Sequence, residues 1–591
     1  MGTPMPEGGR HRRRIRIALP VAAAGVAAAV AAALLTSSAG AAAAEPAAPA
    51  AVGHASPTLA ELKQRVIGAV GSDGTPGTAD KSSYSASSTV DAKIIGGTTT
   101  GIANAPWMAQ LWYYDEASDT GFFCGGAVVA PTKILTAAHC VQGYDWYANG
   151  AIVTGTAQLP SDDGDLHGGT VSGVWRQWSH PSYSARTIDN DIAVLTLPNP
   201  VKATPTRMTT STNTSDYAAG TQAKVYGWGR TTSTSQDISE TLKVATLPIQ
   251  SDATCSGFYG ADFVKGHMVC AGTPATGSDA GTTSACNGDS GGPLVVNNRI
   301  VGVVSWGVVD CVAEGAYSVF SKVRTYVGAT YPRIDDTNLS GDHRADLWVR
   351  SSSTYTGYQK NSKGTSFAAR ESWGSFKGYN VVLQTDFDRD GYQDLIARRV
   401  SDGDVFWMHW VPASGSWATT KIRDNWKSRT RISAPGDVTG DYLPDLLSVD
   451  SSGQMWVYKG TGTGSFSGRV AVGGTGWKQY DFVVGHGDFT GDGYTDLLAR
   501  NRSNGYVYLY KGTGSATSPF PSRVKVRTWS TTGYDKVDAV GDITGDGRAD
   551  LLARTPGGTL YLYKGTGKAT SEIFATRISV GTGYKGYDIW G

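Results

Sequence analysis

The stretch Gly288-Asp289-Ser290-Gly291-Gly292-Pro293 lies between apolar segments and follows Cys286. A serine flanked by glycines can expose its hydroxyl, and the missing side chains let backbone N–H groups approach a developing oxyanion. Taken alone, the same string is as typical of an ordinary turn. It indicates a nucleophile only if the chain also supplies a base and a carboxylate.

Two other segments supply these partners. Thr136-Ala137-Ala138-His139-Cys140 ends an apolar segment with a histidine, and Asp189-Asn190-Asp191-Ile192 places a carboxylate where an apolar strand begins. A neutral serine hydroxyl needs a base within hydrogen-bond reach, and an imidazole titrates near neutrality, so it can accept and return a proton. We therefore predict Ser290 as nucleophile, His139 as general base and Asp191 as the carboxylate that orients it.

Other residues compete for these roles. Asp189 is the alternative carboxylate, but Asp191 directly adjoins the apolar strand, where a carboxylate can be held. His167 lies in an Asp/Gly-rich loop and His180 precedes a proline, so we expect both of these histidines at the surface.

The chain resembles the trypsin/chymotrypsin family of serine proteases, because His139, Asp191 and Ser290 follow that family's order along the chain. The resemblance runs from Ile94 to about Pro332. It implies two antiparallel β-barrels with the site between them, and hydrolysis of peptide bonds without a cofactor. The other motifs that carry it are Ile94-Ile95-Gly96-Gly97, Gly227-Trp228-Gly229 and Ser305-Trp306-Gly307.

The resemblance also implies how the site is completed and activated. The N–H groups of Gly288 and Ser290 would form an oxyanion hole. Cleavage after Lys93 would free an ammonium group on Ile94 that buries itself against Asp289, so the chain is expected to be a zymogen. The alternative for Asp289 is a turn residue with a solvated carboxylate.

All six cysteines fall between Cys124 and Cys311. An even number confined to one region suggests one disulfide-stapled domain, but the sequence alone does not choose among the pairings. The family resemblance implies the pairs Cys124–Cys140, Cys255–Cys270 and Cys286–Cys311.

Specificity is also interpreted through the resemblance. Ser284 would lie at the floor of the specificity pocket, and Gly307 and Gly315 would form its walls. An open, uncharged pocket favours cleavage after Phe, Tyr, Trp or Leu. The alternative is a preference for basic residues if Asp310 or Glu314 turns inward, although charges of this kind are more commonly solvated.

The N-terminal residues indicate export. An arginine-rich stretch precedes an Ala/Val/Leu-rich run from Ile17 to Leu35, and small residues follow, which is typical of a secretory signal over residues 1–44. The alternative is a membrane anchor, since the run is nearly long enough to span a bilayer. Residues 45–93 are rich in Ala, Pro, Ser, Thr and Gly, and only 57–70 resembles a short helix. We expect a propeptide or linker that forms no core.

The composition excludes one class of partner and favours one class of fold. Lys plus Arg (52) balances Asp plus Glu (51), so a nucleic-acid partner has no electrostatic support. The 76 glycines, 10% aromatics and 17% charged residues are typical of turn-rich β structure. We expect an all-β protein that is secreted to the extracellular space and has no membrane contact after signal removal. Its protease domain would span residues 94–332, and a second domain would span 333–591.

The second domain is repetitive. Segments ending in Asp-Leu recur about fifty residues apart, and later copies continue through alternating aromatics into Lys-Gly-Thr-Gly. They resemble FG-GAP/VCBS repeats and predict a β-propeller of about five blades, with an open array as the alternative. The C-terminal Tyr587-Asp588-Ile589-Trp590 would complete the first blade and close the ring. The repeats are Asn338–Leu347, Asp386–Leu395, Asp437–Leu446, Asp488–Leu497 and Asp542–Leu551.

The repeat loops offer oxygen ligands at alternating positions, which suits Ca²⁺. Asp386, Asp388, Asp390 and Asp394 carry carboxylates at positions 1, 3, 5 and 9 of one loop. The alternative is a network of Asx turns without metal. Two later loops repeat the acidic pattern with Asp488, Asp492, Asp496, Asp542, Asp546 and Asp550.

Together these features predict a secreted serine endopeptidase with an appended propeller. Its partners would be protein or peptide substrates and an activating protease. The propeller would bind carbohydrate, a cell-wall surface or a protein substrate, or would only stabilise the enzyme. The alternative is an adhesion or lectin-like protein with an inactive protease-like domain, although no member of the Ser-His-Asp set is missing. A lipase or esterase is disfavoured because its triad runs Ser, Asp, His.

Overall fold

The computed structural model describes residues 57–70, 94–209, 213–334, 337–342, 344–390, 392–411, 414–546 and 548–591. The predicted secretory signal, most of the predicted propeptide and Lys93 lie outside these residues. Within them, no helix is long and apolar enough to cross a membrane. The α-helices are α1 (Leu59–Val70), α2 (Trp146–Asn149), α3 (Asp252–Tyr259) and α4 (Val323–Ile334).

The strands between α1 and α4 form two sheets. One has the order β6-β5-β2-β3-β4-β8-β7, and the other has the order β1-β11-β10-β13-β14-β15-β12, with β9 beside β14. These strands are β1 (Thr98–Thr99), β2 (Met108–Asp115), β3 (Thr120–Ala130), β4 (Lys133–Thr136), β5 (Gly150–Thr154), β6 (Thr170–Ser172), β7 (Arg176–Ser179), β8 (Ala193–Thr196), β9 (Arg207–Met208), β10 (Gln222–Gly227), β11 (Lys243–Pro248), β12 (Met268–Ala271), β13 (Pro293–Val296), β14 (Arg299–Trp306) and β15 (Ser318–Lys322).

The two sheets enclose apolar cores, which confirms the predicted pair of barrels. The first core includes Leu111, Ile134 and Leu195, and the second includes Leu247, Val301 and Phe320. Because β-strand side chains alternate between faces, apolar residues at every second position fill the barrel interiors. The barrels meet along the edge that carries the predicted site.

Residues after α4 form five four-stranded sheets, which are the blades of the predicted propeller. The strands are β16 (Leu347–Ser351), β17 (Thr356–Lys360), β18 (Glu371–Ser375), β19 (Tyr379–Thr385), β20 (Asp394–Arg399), β21 (Val405–Val411), β22 (Ser416–Arg423), β23 (Arg431–Gly436), β24 (Asp445–Val449), β25 (Met455–Gly460), β26 (Phe466–Val472), β27 (Tyr480–Val484), β28 (Leu497–Asn501), β29 (Tyr506–Tyr510), β30 (Arg523–Thr528), β31 (Lys536–Gly541), β32 (Asp550–Arg554), β33 (Leu560–Tyr563), β34 (Ile578–Gly581) and β35 (Tyr587–Trp590).

The last strand closes the ring. Strand β35 pairs antiparallel with β16, with Val349 opposite Trp590 and Arg350 opposite Ile589. The first blade therefore takes three strands from its own repeat and one from the C-terminus, in the order β18-β17-β16-β35. This closure, which was predicted from the C-terminal sequence, gives the first blade four strands like the other blades.

The last aspartate of each repeat explains why the acidic Asp-Leu segment and the Lys-Gly-Thr-Gly segment recur together. In the later blades, one carboxylate oxygen accepts N–H groups from the acidic loop. The other oxygen accepts the N–H of the first glycine in Lys-Gly-Thr-Gly. The Asp–Gly distances are 3.1 Å for Asp445 and Gly460, 2.9 Å for Asp496 and Gly512, and 2.9 Å for Asp550 and Gly565. A buried carboxylate thus ties the loop to the neighbouring strand in each of these three blades.

The protease and propeller regions are joined by packed contacts. The Arg333 guanidinium lies 2.9 Å from the Asp542 carboxylate, and both side chains are almost completely buried. Tyr331 hydrogen-bonds Thr495 at 2.8 Å. Helix α4 runs through the expected domain boundary between residues 332 and 333, so the boundary is a continuous helix and not a linker.

Helix α1 departs from our expectation that residues 45–93 form no core. Its residues Leu62, Val66 and Ala69 are buried in an apolar cluster of the protease region. The spacing of these residues puts them on one helical face. The prediction was wrong because the Ala, Pro, Ser, Thr and Gly content of the whole segment outweighed this short pattern.

Closure of the ring gives a test. Trp590→Ala removes a buried side chain from the contact between β35 and its neighbours, and we expect a loss of about 3–5 kcal/mol in the free energy of unfolding. Thr582→Ala, at an exposed position shortly before β35, is the matched control and should change stability little. Urea unfolding followed by circular dichroism measures both, and equal stability of the two variants would argue against closure by β35.

Candidate functional site

Neighbouring strands bring His139 and Asp191 together. His139 lies on the short 3-10 helix Ala138–Cys140, just after β4, and Asp191 lies just before β8. Strands β4 and β8 are paired, with Thr136 opposite Ala193. The two side chains therefore project from the same end of one strand pair.

The Asp191 carboxylate is fully buried and hydrogen-bonded. One oxygen lies 2.8 Å from Nδ1 of His139, and the other accepts the His139 backbone N–H at 2.8 Å. The Ser305 hydroxyl donates to the carboxylate at 2.6 Å, and the Ser321 hydroxyl donates to the Asp191 carbonyl at 2.5 Å. With Nδ1–H donating to Asp191, the Nε2 atom of His139 is left to accept a proton.

The Ser290 loop packs against the segment that leads to His139. The Gly125 N–H donates to the Ser290 carbonyl at 2.7 Å, and the Gly291 N–H donates to the Val304 carbonyl at 2.8 Å. Gly291 has φ +80°, and a Cβ there would lie 2.1 Å from the Thr136 hydroxyl oxygen. Only glycine fits this close approach.

The backbone N–H groups of the Ser290 loop differ in whether they have a hydrogen-bond acceptor. The Asp289 N–H donates to the Cys286 carbonyl at 2.9 Å. Within the described residues, the N–H groups of Gly288 and Ser290 have no protein acceptor, so they are available to an oxyanion. In the same set of residues, no hydrogen bond joins the Ser290 hydroxyl to His139. Such contacts are often long without substrate and tighten when it binds.

Asp289 is fully buried, which excludes the alternative of a solvated turn residue. Its carboxylate accepts the N–H groups of Gly229 at 2.8 Å and Cys286 at 2.9 Å. Burial raises the pKa of Asp289 to about 7, because the two N–H donors offset only part of the lost hydration. Ile94 is also fully buried, in the core of the second barrel.

The competing residues lie elsewhere. Asp189 lies 2.7 Å from Nδ1 of His267 and is not a partner of His139. His167 is exposed, as expected. His180 is half-buried beside Trp178 and Tyr326, so the expectation of a surface position is wrong for this residue.

Of the predicted specificity-pocket residues, Ser284 contacts the Cys286–Cys311 disulfide segment. The Ser284 hydroxyl donates to the Cys311 carbonyl at 2.8 Å. Gly307 is exposed, and a Cβ there would have open space around it. The Asp310 carboxylate accepts the N–H groups of Val312 and Ala313, and Glu314 is exposed. The charges that could have favoured a basic substrate are thus used locally or solvated.

The six cysteines form three disulfides and none is free. The pairs are Cys124–Cys140, Cys255–Cys270 and Cys286–Cys311, the same pairs that the resemblance implied. The first braces the segment that carries His139, and the third ties the Ser290 loop to the strand connection that carries Gly307 and Gly315.

The acidic loop of the second blade gathers several carboxylates. Oxygens of Asp386, Asp388 and Asp394 lie within 4.8 Å of one another. Asp394 is fully buried, and one of its oxygens has no hydrogen-bond donor among the described residues. Burial and the neighbouring carboxylates raise the pKa of Asp390 to about 9 and that of Asp394 well above its usual range.

The corresponding loops of the fourth and fifth blades are neutralised by the protein itself. Lys511 lies 3.2 Å from Asp492, and Lys564 lies 3.3 Å from Asp546. By strand register, His409 of the second blade occupies the position of these lysines. It stacks on Trp407 with ring centroids 3.6 Å apart, and burial lowers its pKa. The second blade alone of these three therefore lacks a lysine partner for its loop.

Sequence reasoning missed several residues of the site. Ser305 was noted only as part of a motif, and Ser321 was not noted at all. Ser321 is 130 residues from Asp191 along the chain, and an isolated serine in a strand gives no local signal of such a contact. Gly125, whose N–H donates to the Ser290 carbonyl, likewise gives no local signal of this contact.

Comparison with known proteins agrees with this geometry. The family model described as Trypsin matches residues 94–329, and models described as FG-GAP-like repeat and FG-GAP repeat match residues 488–553 and 538–570. The chain is 37% identical over 242 residues to a protein named Trypsin from Saccharopolyspora erythraea, covering 41% of this chain and 98% of the relative. It is 34% identical to Trypsin delta from Drosophila erecta, covering 40% and 88%, and 30% identical to Trypsin from Sus scrofa, covering 40% and 94%.

Proposed function

The chain belongs to the trypsin family of serine proteases and carries FG-GAP repeats, and from this premise we propose that it is a secreted endopeptidase made as a zymogen. The observation that carries the proposal is the buried Asp191–His139 pair beside the glycine-rich Ser290 loop. Three disulfides are compatible with an oxidising, extracellular environment. An inactive protease-like domain is disfavoured because every predicted catalytic group is present.

In the proposed mechanism, Asp191 holds the Nδ1–H of His139, and Nε2 removes the proton from Ser290 as Oγ bonds to the substrate carbonyl carbon. The carbonyl oxygen becomes an oxyanion that accepts the N–H groups of Gly288 and Ser290. Its collapse breaks the C–N bond, and His139 gives its proton to the leaving amine. Water then repeats the sequence on the acyl-enzyme. Loss of one oxyanion donor costs about 3 kcal/mol of transition-state stabilisation.

The proposed activation step is inferred from the burial of Asp289. In the uncleaved chain, this carboxylate lies in a dry site with only two N–H donors. Cleavage after Lys93 by an activating protease would create an ammonium group on Ile94. A cation paired with a buried carboxylate lowers its pKa and repays part of its desolvation cost. We propose that this pairing fixes the adjacent Gly288–Ser290 amides in their working position.

For specificity, we propose cleavage after large apolar residues. Ser284 gives the pocket a neutral floor, and its hydroxyl is already bonded to the Cys311 carbonyl. Asp310 is held by its own loop. A Lys or Arg side chain would find no carboxylate at the floor, and burying its charge there would be unfavourable.

For the repeats, we propose one calcium site, formed by Asp386, Asp388, Asp390 and Asp394. The ligands are hard carboxylate oxygens, and one oxygen of the buried Asp394 has no hydrogen-bond donor within the ranges that the structure describes. We do not extend the proposal to the later loops. Lysines already neutralise Asp492 and Asp546, and Arg333 pairs with Asp542.

For the propeller, the contacts favour structural support of the enzyme over carbohydrate binding. Sugars stack on open aromatic faces, yet the rings of Trp456, Tyr508 and Tyr561 are covered by arginines. The guanidinium groups of Arg469, Arg523 and Arg577 lie 4.0, 4.3 and 4.1 Å from the respective ring centroids. We propose that the propeller chiefly stabilises the protease through contacts such as Arg333–Asp542.

Catalysis and specificity are tested with peptides varied at the residue before the scissile bond. After cleavage following Lys93, we expect preference for Phe, Tyr or Leu, and a loss of about 10⁶-fold in kcat for Ser290→Ala. Ser284→Asp should move the preference toward Lys and Arg because it adds a charge at the floor. Ser182→Ala, outside the site, is the control. Undiminished turnover by Ser290→Ala would exclude the mechanism, and a wild-type preference for Lys or Arg would exclude the pocket assignment.

The Asp289 site predicts a pH effect. In uncleaved Ser290→Ala protein, the raised pKa means that the folded state holds a proton that the unfolded chain releases. Stability therefore falls as pH rises from about 4 to about 7, by up to about 4 kcal/mol. After cleavage, the Ile94 ammonium keeps the carboxylate charged, and this decline should be absent. Thermal melts across this pH range compare the two forms.

Asp289→Asn provides the control for that measurement. The amide does not titrate, so the two forms should then show the same pH dependence. Parallel pH profiles for the cleaved and uncleaved forms that retain Asp289 would contradict the proposed ion pair.

The calcium proposal predicts a single site. Terbium, which replaces Ca²⁺ and is excited by nearby indole rings, should bind once and be sensitised by Trp407, whose Nε1 lies 2.8 Å from Asp394. Asp388→Asn should abolish the luminescence, whereas the matched Asp492→Asn in the fourth blade should leave it unchanged. Calcium should compete for the wild-type signal. Loss of signal in Asp492→Asn with retention in Asp388→Asn would refute the assignment.

A further inference from the structure

Helix α1 is built into the protease region although it precedes the proposed activation site. Leu62, Val66 and Ala69 pack in an apolar cluster that also contains Trp112 and Phe123. The contact extends along the whole helix, because Ile67 reaches Gly164 at one end and Pro57 reaches Gly173 at the other. These partners belong to the first barrel and its loops.

Polar groups fix the helix in one position. The Arg65 guanidinium donates to the carbonyls of Gly150 at 2.9 Å and Tyr147 at 3.3 Å, at the end of α2. Tyr147 lies in α2, and Gly150 is the first residue of β5, so Arg65 bonds the junction of these two elements. The helix also caps itself, because the Thr58 N–H donates to Glu61 at 2.6 Å and the Glu61 N–H donates to the Thr58 hydroxyl at 3.2 Å.

Glycine at position 68 allows a close approach that a side chain would prevent. A Cβ on Gly68 would lie 2.3 Å from the ring of Tyr114. The helix backbone therefore rests directly on an aromatic ring of β2. Glycine is unfavourable within a helix, so this position fits a docked segment better than a passive spacer.

We propose that residues 57–70 stay bound to the first barrel after cleavage following Lys93, so that the active enzyme is a non-covalent complex of a short light chain and the protease–propeller chain. This inference rests on the proposed activation step. No disulfide can hold the segment, since all six cysteines pair between Cys124 and Cys311. The retaining forces are the apolar contact and the Arg65 hydrogen bonds.

Activation does not require release of the helix. Ile94 packs in a different cluster, with Val225, Leu247 and Phe320 of the second barrel. The Asp289 carboxylate contacts Gly227 and Gly229 and not α1. Release of α1 would instead expose its apolar partners on the first barrel, which is unfavourable in water.

The test uses full-length Ser290→Ala protein, cleaved by an added protease and chromatographed by size under native conditions. N-terminal sequencing locates the cut. We expect a peptide containing residues 57–70 to elute with the large chain and to separate from it only in denaturant. Recovery of this peptide in the low-mass fraction, with the large chain still folded, would overturn the proposal.

Cleavage at any bond between Val70 and Ile94 serves this test. A cut in this range but not after Lys93 would count against the activation assignment, and retention would still be decided by the fraction in which the peptide elutes. Release of the peptide after a correct cut would count against retention without affecting the catalytic proposal.

Two leucines of the same helix provide a matched pair of variants. Leu62 is buried, whereas Leu59 is 61% exposed. Leu62→Asp should reduce the co-eluting peptide at least tenfold, and Leu59→Asp should leave it unchanged. If Leu62→Asp does not fold, Arg65→Met, which removes only the two hydrogen bonds, should show a smaller loss. Equal retention in Leu59→Asp, Leu62→Asp and Arg65→Met would contradict the assigned contact face.

Discussion

The buried carboxylate of Asp191 is the constraint on which the rest of the protease region depends. Its own segment belongs to the first barrel, while Ser305 and Ser321 lie on strands β14 and β15 of the second. A carboxylate in a dry site must have its hydrogen bonds satisfied. Meeting that requirement joins the barrels at one point and leaves His139 with a single orientation. The geometry of the site is therefore a consequence of barrel packing.

Buried aspartates with satisfied hydrogen bonds recur in the propeller, and the second blade is the exception. Asp445, Asp496 and Asp550 are each buried and satisfied by backbone N–H groups from a loop and from a glycine. In the second blade, Trp410 takes the register position of that glycine, and one oxygen of Asp394 has no donor in the described part of the chain. A buried carboxylate in this state either holds a proton or binds a cation. The second blade, which departs from the repeat, is therefore the blade whose acidic loop differs chemically from the others.

Local patterns predicted most of the architecture. The segments around His139, Asp191 and Ser290 carried the family resemblance that implied the barrels, and the Asp-Leu repeats predicted five blades and their closure by β35. Contacts between distant residues were not predictable. Ser321 and Arg333 carry no local signal of their partners, because a serine in a strand and an arginine in a helix fit many environments. Helix α1 was misjudged because the composition of a long segment concealed three apolar positions.

These missed contacts change the boundaries of the working unit. The matched family region covers residues 94–329, yet buried contacts continue past both of its ends. Before it, Arg65 reaches the carbonyls at the end of α2. After it, Arg333 reaches Asp542 of the propeller. In both places, an arginine donates hydrogen bonds to oxygens of the protease or the propeller region. The protease barrels are therefore held from two sides by segments outside the family match, and their stability depends on both.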